Sequence, residues 1–422
     1  MGNSQSPASD PRFTAATRTF SAQELDDLRA LFMSLASQSN SEGQFVTPSS
    51  FKAYFGLRDP LGGRLFHLVT QKRGDERLTF EDLVIAKGTY EKGTKNEIEE
   101  FIYELLDVNN DGIVGRSDIE DAVNTMLDDI LSPKSPAPTV ASHHDNVDIL
   151  LNAATFAKHE SGGPENQMSY EDFRSWCNFL PSVRKYLGSL LIISNAGRPR
   201  SDVPHLITMD NMDSNSVLLK KEYAWIICGC LPQHETEEWT LLYHSACNGL
   251  SFTTFLGNSS NYMGPTVLVI KDKEGYLYGG YASQPWERHG DFYGDMKSFV
   301  FQLHPKASIF RPTGANNNTQ WCAANFSSDS IPNGVGFGGR IHHFGLFLSA
   351  SFDQGHTFSC TTFGSPCLSK TTQINPDVIE CWAVLPKESG KERPDAAKGT
   401  ILERFKEDRN MLNMVGIANA SE

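Results

Sequence analysis

Four times in the first 180 residues the chain runs through one pattern: an amphipathic helix, a polar loop, a single apolar residue and a new helix start. The first helix opens on Ser21 and Glu24, spaced as a capping box, and Leu25, Leu28, Phe32 and Leu35 share one of its faces. The single apolar residues are Phe45, Leu78, Val114 and Met168, and the last three lead into acidic helix starts at Glu81-Asp82, Asp118 and Glu171-Asp172. Around the third loop, Ile98, Phe101, Ile102, Leu105 and Leu106 line the entering helix, and Ile119, Ala122, Val123, Met126, Leu127 and Ile130 line the exiting one. A helix over 183–193 closes the region, and a stretch of Gly, Pro, Arg and Asn follows.

Then the period changes. A helix is expected over 217–228, a buried strand over 239–243 and a short helix over 251–256. Short runs rich in β-formers predict strands at 266–270, 276–281, 298–303, 345–352, 356–362 and 379–384, the first two joined as a hairpin. The class is α+β and multidomain: an all-α N-terminal domain, then an antiparallel β-sandwich with flanking helices. Beyond 386 the residues are charged and small until helical spacing returns through Ile401, Leu402, Phe405 and Leu412. That amphipathic helix either packs on its own chain or docks in a partner's groove.

The third loop, 107–118, is equipped for a cation. Asp107, Asn109 and Asp111 stand at loop positions 1, 3 and 5, Gly112 at 6, and the Ile113 carbonyl at 7, which is the EF-hand order of oxygen ligands. Position 12 is Asp118 where a bidentate Glu is expected, so the loop should bind calcium weakly and discriminate poorly against magnesium. The other three loops place Gln38 and Ser49, Gln71 and Asp82, and Ser161 and Asp172 at positions 1 and 12, which suits packing partners better than cation sites. Four units then make two EF-hand-like pairs, with the Pro-rich 132–138 an exposed insertion between the third and fourth.

Length and charge narrow the functions. A chain of 422 residues exceeds one ordinary core, and a net charge of −14 without a basic stripe argues against a nucleic-acid backbone as partner. Eight cysteines without a CxxC pair read as free thiols of a reducing compartment. There is no run of 18 apolar residues to span a membrane. The opening Met1-Gly2-Asn3-Ser4-Gln5-Ser6 fits N-myristoylation at Gly2, a single acyl chain that binds a membrane surface reversibly. The expected divisions are a flexible acylated tail at 1–20, a helical domain at 21–193, a linker at 194–205, a β domain at 206–386, and a linker with the final helix at 387–422.

Candidate chemistry in the β region is thin. Gly334-Val335-Gly336-Phe337-Gly338-Gly339 contains GxGxxG, but a strand is expected after it where a dinucleotide site needs a helix. His342, His343, His356, Cys322 and Cys360 match no zinc spacing, and Glu287, Asp291, Asp295 and Glu380 read equally as acid–base groups or as a surface for basic residues. No enzyme is expected.

Several motifs in order carry a family resemblance: Gly264-Pro265-Thr266, Tyr278-Gly279-Gly280-Tyr281-Ala282, Trp286, Phe292-Tyr293-Gly294-Asp295, Ile331-Pro332-Asn333-Gly334, Phe337-Gly338-Gly339 and Glu380-Cys381-Trp382-Ala383-Val384. Together, over about 180 residues, the stretch resembles a TLDc domain, the module of oxidation-resistance proteins and of EF-hand-bearing, lysosome-associated TLDc proteins. The resemblance implies an adaptor at the cytoplasmic face of lysosomal or vacuolar membranes and in the cytosol. It implies contacts with the peripheral stalk and catalytic head of the vacuolar-type proton-pumping ATPase, and a C-terminal helix that reaches into the pump. It leaves open a direct antioxidant or hydrolytic activity, or a membrane-bound calcium sensor in growth signalling.

Overall fold

A computed structural model describes residues 10–39, 44–71, 73–131, 144–156, 167–192, 203–209, 212, 216–328 and 330–385. The chain divides into two compact units, Met1–Ser201 and Asp202–Glu422. The first is helical among its described residues and the second is built mainly on sheets.

Helices of the first unit are α1 (Pro11–Thr17), α2 (Ala22–Gln38), α3 (Pro48–Phe55), α4 (Leu61–Val69), α5 (Phe80–Lys92), α6 (Lys95–Leu105), α7 (Arg116–Leu131), α8 (His144–Leu151), α9 (Tyr170–Phe179) and α10 (Pro181–Leu187). Their starts are written in the sequence. Capping boxes stand at Ser21 and Glu24, Thr79 and Asp82, Thr94 and Glu97, and Ser169 and Asp172, each satisfying amides that the first turn leaves without partners.

The loops meet in pairs. Val46 and Leu78 exchange backbone hydrogen bonds of 2.9 and 3.0 Å, and Met168 N–H donates to the Val114 carbonyl at 2.8 Å. In the first loop the bridging residue is Val46, fully buried, and not Phe45. Phe45 lies one residue earlier, with the Arg77 guanidinium 4.8 Å over its ring, so its apolar surface is covered from outside.

Two boundaries differ from the sequence reading. The helical unit begins inside the expected flexible tail: Asp10 caps α1 by accepting from Arg12 N–H, and Phe13 and Ala16 pack with Phe20, Leu28 and Val84. Asp10 followed by Pro11 at the first helical position was the available signal. At the other end α10 stops at Leu187, and the turn after it is held by α5. Lys87 Nζ donates to the Leu191 carbonyl at 3.1 Å, and the Tyr90 hydroxyl donates to the Leu187 carbonyl and accepts from Leu190 N–H.

In the second unit, seven strands lie in the order β1 (His205–Ile207), β2 (Glu238–His244), β12 (Pro376–Ala383), β3 (Thr266–Asp272), β4 (Leu277–Ala282), β5 (Phe299–His304) and β6 (Ser308–Phe310). Five more follow the order β11 (Gln373–Ile374), β10 (Gly355–His356), β9 (His343–Ser349), β8 (Gly334–Arg340) and β7 (Trp321–Ala323). Pairing is antiparallel except between β1 and β2, which run parallel, so the expected all-antiparallel arrangement is corrected at that edge. Helices α11 (Lys221–Cys228), α12 (Ser245–Asn248) and α13 (Phe252–Ser259) flank the strands.

The β3–β4 hairpin turns where Asp272 Oδ1 accepts from the N–H groups of Glu274 and Tyr276. Phe337 of β8 joins the two sheets: its ring meets Trp286 edge-on, and a Cβ on Gly280 of β4 would come within 2.7 Å of it. Gly279 is bare for another reason, since a Cβ there would lie 1.9 Å from the Leu268 carbonyl oxygen on the paired strand.

Three elements depart from the periodicity. The expected strand at 356–362 is reduced to β10, because Thr357 Oγ1 donates to the Gly345 carbonyl and Cys360 turns to bridge Ser365. The expected helix at 217–228 starts only at Lys221, since the N–H groups of Leu218 and Leu219 are taken by Glu380. The glycine-rich 334–339, for which no strand is expected, is strand β8 between two neighbours.

Candidate functional site

The loop between α6 and α7 has the wrap its residue types call for. Asn110 and Gly112 adopt left-handed φ of 61° and 87°, which Asn tolerates and Gly permits freely. Asp107 Oδ1 accepts from Asp111 N–H at 3.1 Å and its Oδ2 from Gly112 N–H at 3.2 Å. Asn109 Oδ1 accepts from Asp111 N–H, and Asp111 Oδ1 from Ile113 N–H, both at 2.9 Å. Asp118 closes the loop, accepting from Gly115 N–H at 2.9 Å and Asn109 N–H at 3.4 Å.

These are oxygen donors of the kind a hard cation takes, and the loop's backbone already curls around the two end carboxylates. Burial pushes the Asp118 carboxyl up, and the nearby Asp111 and Asp107 add to that against its two backbone hydrogen bonds. A positive charge in the loop would relieve it. Positive charge is already present from outside the loop, however. Arg64 of α4 donates from Nη2 to Asp107 Oδ2 at 3.1 Å and from Nη1 to the Asn110 side-chain oxygen. Among the described residues, no three His, Cys, Asp or Glu side chains converge as a metal cage. The donors are of the oxygen kind calcium takes, but they are not gathered as a cage, and Asp107 is shared with Arg64.

In the second loop the carboxylate at position 12 is already paired. There Arg73 forks onto Asp82 at 2.7 and 2.5 Å, while Asp82 also completes the cap of α5. Asp172 likewise accepts from Ser169 at the start of α9. The acidic helix starts of the second and fourth units are thus caps.

In the second unit the candidate catalytic groups scatter. Glu380 in β12 is fully buried, its oxygens accepting from Leu218 N–H at 2.5 Å, Leu219 N–H at 3.1 Å and Trp382 Nε1–H at 2.9 Å. Burial raises its carboxyl above the usual range against those donors. His244 Nδ1 accepts from Ala246 N–H, which leaves the proton on Nε2, 3.4 Å from Glu380. Asp291 and Asp295 instead lie on the segment joining β4 to β5, where Phe292 N–H and Lys297 N–H donate to them at 2.7 and 2.8 Å.

His342 and His343 are exposed, and His356 is half-buried against Phe347. Burial, with His343 and His342 beside it, brings the His356 imidazole down to about 4. Cys322 and Cys360 are buried apart from solvent, and burial pushes the Cys322 thiol far up. None of the eight cysteines is in a disulfide. GxGxxG lies in β8 and opens no helix, so it cannot present helix amides to a pyrophosphate. Gly2 and the helix residues Ile401, Leu402, Phe405 and Leu412 lie outside the described residues.

Two packed sheets, flanking helices and these motifs define the class: residues 212–385 match the TLDc domain, and the chain carries one. Within that class it is similar to the MTOR-associated protein MEAK7 of Danio rerio, 38% identical over 191 residues, which are 44% of this chain and 41% of that protein. The Mus musculus protein of the same name is 30% identical over 258 residues, 58% of this chain and 55% of its own length. Oxidation resistance protein 1 of Mus musculus is 33% identical over 219 residues, 51% of this chain and 24% of that protein. The chain spans about half the length of the MTOR-associated relatives it matches.

Proposed function

We propose that this chain is a calcium-responsive, lipid-anchored adaptor that binds and regulates the vacuolar-type proton-pumping ATPase, and that it is not an enzyme. Its helical unit is read as two EF-hand-like pairs with one cation loop, Asp107 to Asp118. Asp107, Asn109, Asp111, the Ile113 carbonyl and Asp118 would hold calcium, with magnesium poorly rejected. Myristate on Gly2 would give a weak membrane contact on the cytoplasmic face of lysosomal or vacuolar membranes. The TLDc domain and the amphipathic helix through Ile401, Leu402, Phe405 and Leu412 would supply protein contacts, and these weak attachments multiply through effective concentration.

The observation that carries the adaptor reading over a catalytic one is the fate of Glu380. It is sealed between two backbone amides and an indole, so the one carboxylate of the closing family motif serves the fold. The relatives' names point the same way, being an MTOR-associated protein and an oxidation resistance protein. Calcium around Asp107 would alter the packing of α6 and α7 and so the exposure of a partner-binding face.

Co-purification of tagged full-length protein from native membranes, with calcium or with chelator, tests this. Stoichiometric proton-pump subunits whose yield changes with calcium are expected. Their absence under both conditions would sink the pump assignment. Enrichment of a growth-signalling kinase in their place would favour the second reading, a membrane-bound calcium sensor in growth signalling, which the MTOR-associated relatives support.

A further inference from the structure

Arg64 belongs to α4, the helix entering the second loop, yet its guanidinium is spent on the third. Nε donates to the Glu104 carbonyl at 3.0 Å, Nη2 to Asp107 Oδ2 at 3.1 Å, and Nη1 to the Asn110 side chain, with His67 Nδ1 3.5 Å away. The Arg64 side chain is 3% exposed and that of Asp107 8%. A guanidinium so buried is tolerated only where acceptors compensate its lost hydration. Two of its acceptors are loop positions 1 and 4, and the first is the leading ligand of the cation set.

Arg73 shows what the same chemistry does in a loop that has no cation ligand set. Its fork on Asp82 supplies the positive charge at position 12 that a divalent ion supplies elsewhere.

We propose that Arg64 is a tethered competitor for the divalent cation of the 107–118 loop: it neutralises Asp107 in the metal-free protein, and calcium binds only by drawing Asp107 off the guanidinium. This rests on the cation reading given above and adds its regulation. Calcium and a guanidinium cannot share one carboxylate at close range without strong repulsion. Arg64 must therefore retreat as the ion enters. Because Arg64 sits on α4, the retreat would couple the cation loop of the second pair to a helix of the first. The calcium threshold is then set by a residue more than forty positions before the loop.

Calorimetric titration of calcium chloride into the full-length chain tests the proposal in two variants. Arg64→Gln removes the competitor and is expected to tighten calcium binding about tenfold or more. Its calcium-free melting temperature should fall, leaving Asp107 without a counter-charge, and calcium should restore it by more than it raises wild type. Asn110→Gly removes only one acceptor of Arg64, at a φ of 61° that glycine adopts freely, and should tighten binding by a smaller factor. It decides the matter if Arg64→Gln fails to fold. If wild type binds calcium and both variants bind no more tightly, the competitor is refuted while the cation loop stands. If none of the three binds calcium at millimolar concentration, the cation reading fails and takes the competition with it.

Discussion

Glu380, fully buried, and His356, half-buried, show how a single polar group sets conditions on the fold around it. Glu380 satisfies the amides of Leu218 and Leu219 and the Trp382 indole from inside the sheet. Glu380→Ala leaves three donors facing a cavity, and a loss of about 3 kcal/mol is expected from denaturant unfolding of the full chain. His356 acts through its proton. Its imidazole lies at about 4 in the fold against 6.5 when free, so the unfolded chain binds the extra proton between those values. That contribution is full above about pH 6.5 and is lost as pH falls toward 4. His356→Gln should flatten the fall in melting temperature across this window, read by tryptophan fluorescence, and leave the value at pH 8 little changed relative to that fall.

At the scale of elements, sequence and structure agree on both strands and the turn of the β3–β4 hairpin, which is also unforgiving of change. Gly279→Ala drives a methyl into the Leu268 carbonyl of the neighbouring strand. A loss of more than about 3 kcal/mol or failure to accumulate folded protein is expected, measured by circular dichroism and solubility. The helical repeat was legible for the same reason as the hairpin: capping residues and periodic apolar faces are local, so Ser21 with Glu24 announces α2 without knowledge of the fold. Strand β8 was hidden because its glycines are dictated by neighbours: a Cβ on Gly334 would lie 2.0 Å from the Leu348 carbonyl oxygen, and one on Gly338 2.7 Å from Cys360 Sγ and the Phe363 ring. The late start of α11 was hidden likewise, since the partner of its leading amides lies some 160 residues on. Along 107–118 the order of oxygen-bearing residues could be read directly, but Arg64 could not be foreseen beside them, because its contact with Asp107 depends on how α4 and α6 pack.

For the molecule as a whole, the 107–118 loop and the region matching the TLDc domain belong to separate compact units, and the proposed calcium response requires that one influence the other. Asp107→Asn removes a charge from the loop and the leading member of the proposed ligand set. It should abolish any calcium dependence of partner recovery while leaving the calcium-free yield near that of wild type, measured by the same membrane co-purification. An unchanged calcium dependence in this variant would place the sensor outside the loop.

The clamp between α5 and the turn after α10 has a bearing on how the protein is made. Lys87 and Tyr90 find their acceptors at Leu187 and Leu191, about a hundred residues later. A nascent chain emerging from the ribosome at about 5–20 residues per second would wait several seconds for these two carbonyls, with Lys87 held meanwhile only by its own helix through Glu91. The first pair of loops can close on its own through Val46 and Leu78, but α5 is finished only when residue 191 has left the exit tunnel. Translation speed across the fourth repeat therefore sets how long the half-built helical unit is exposed to chaperones and proteases.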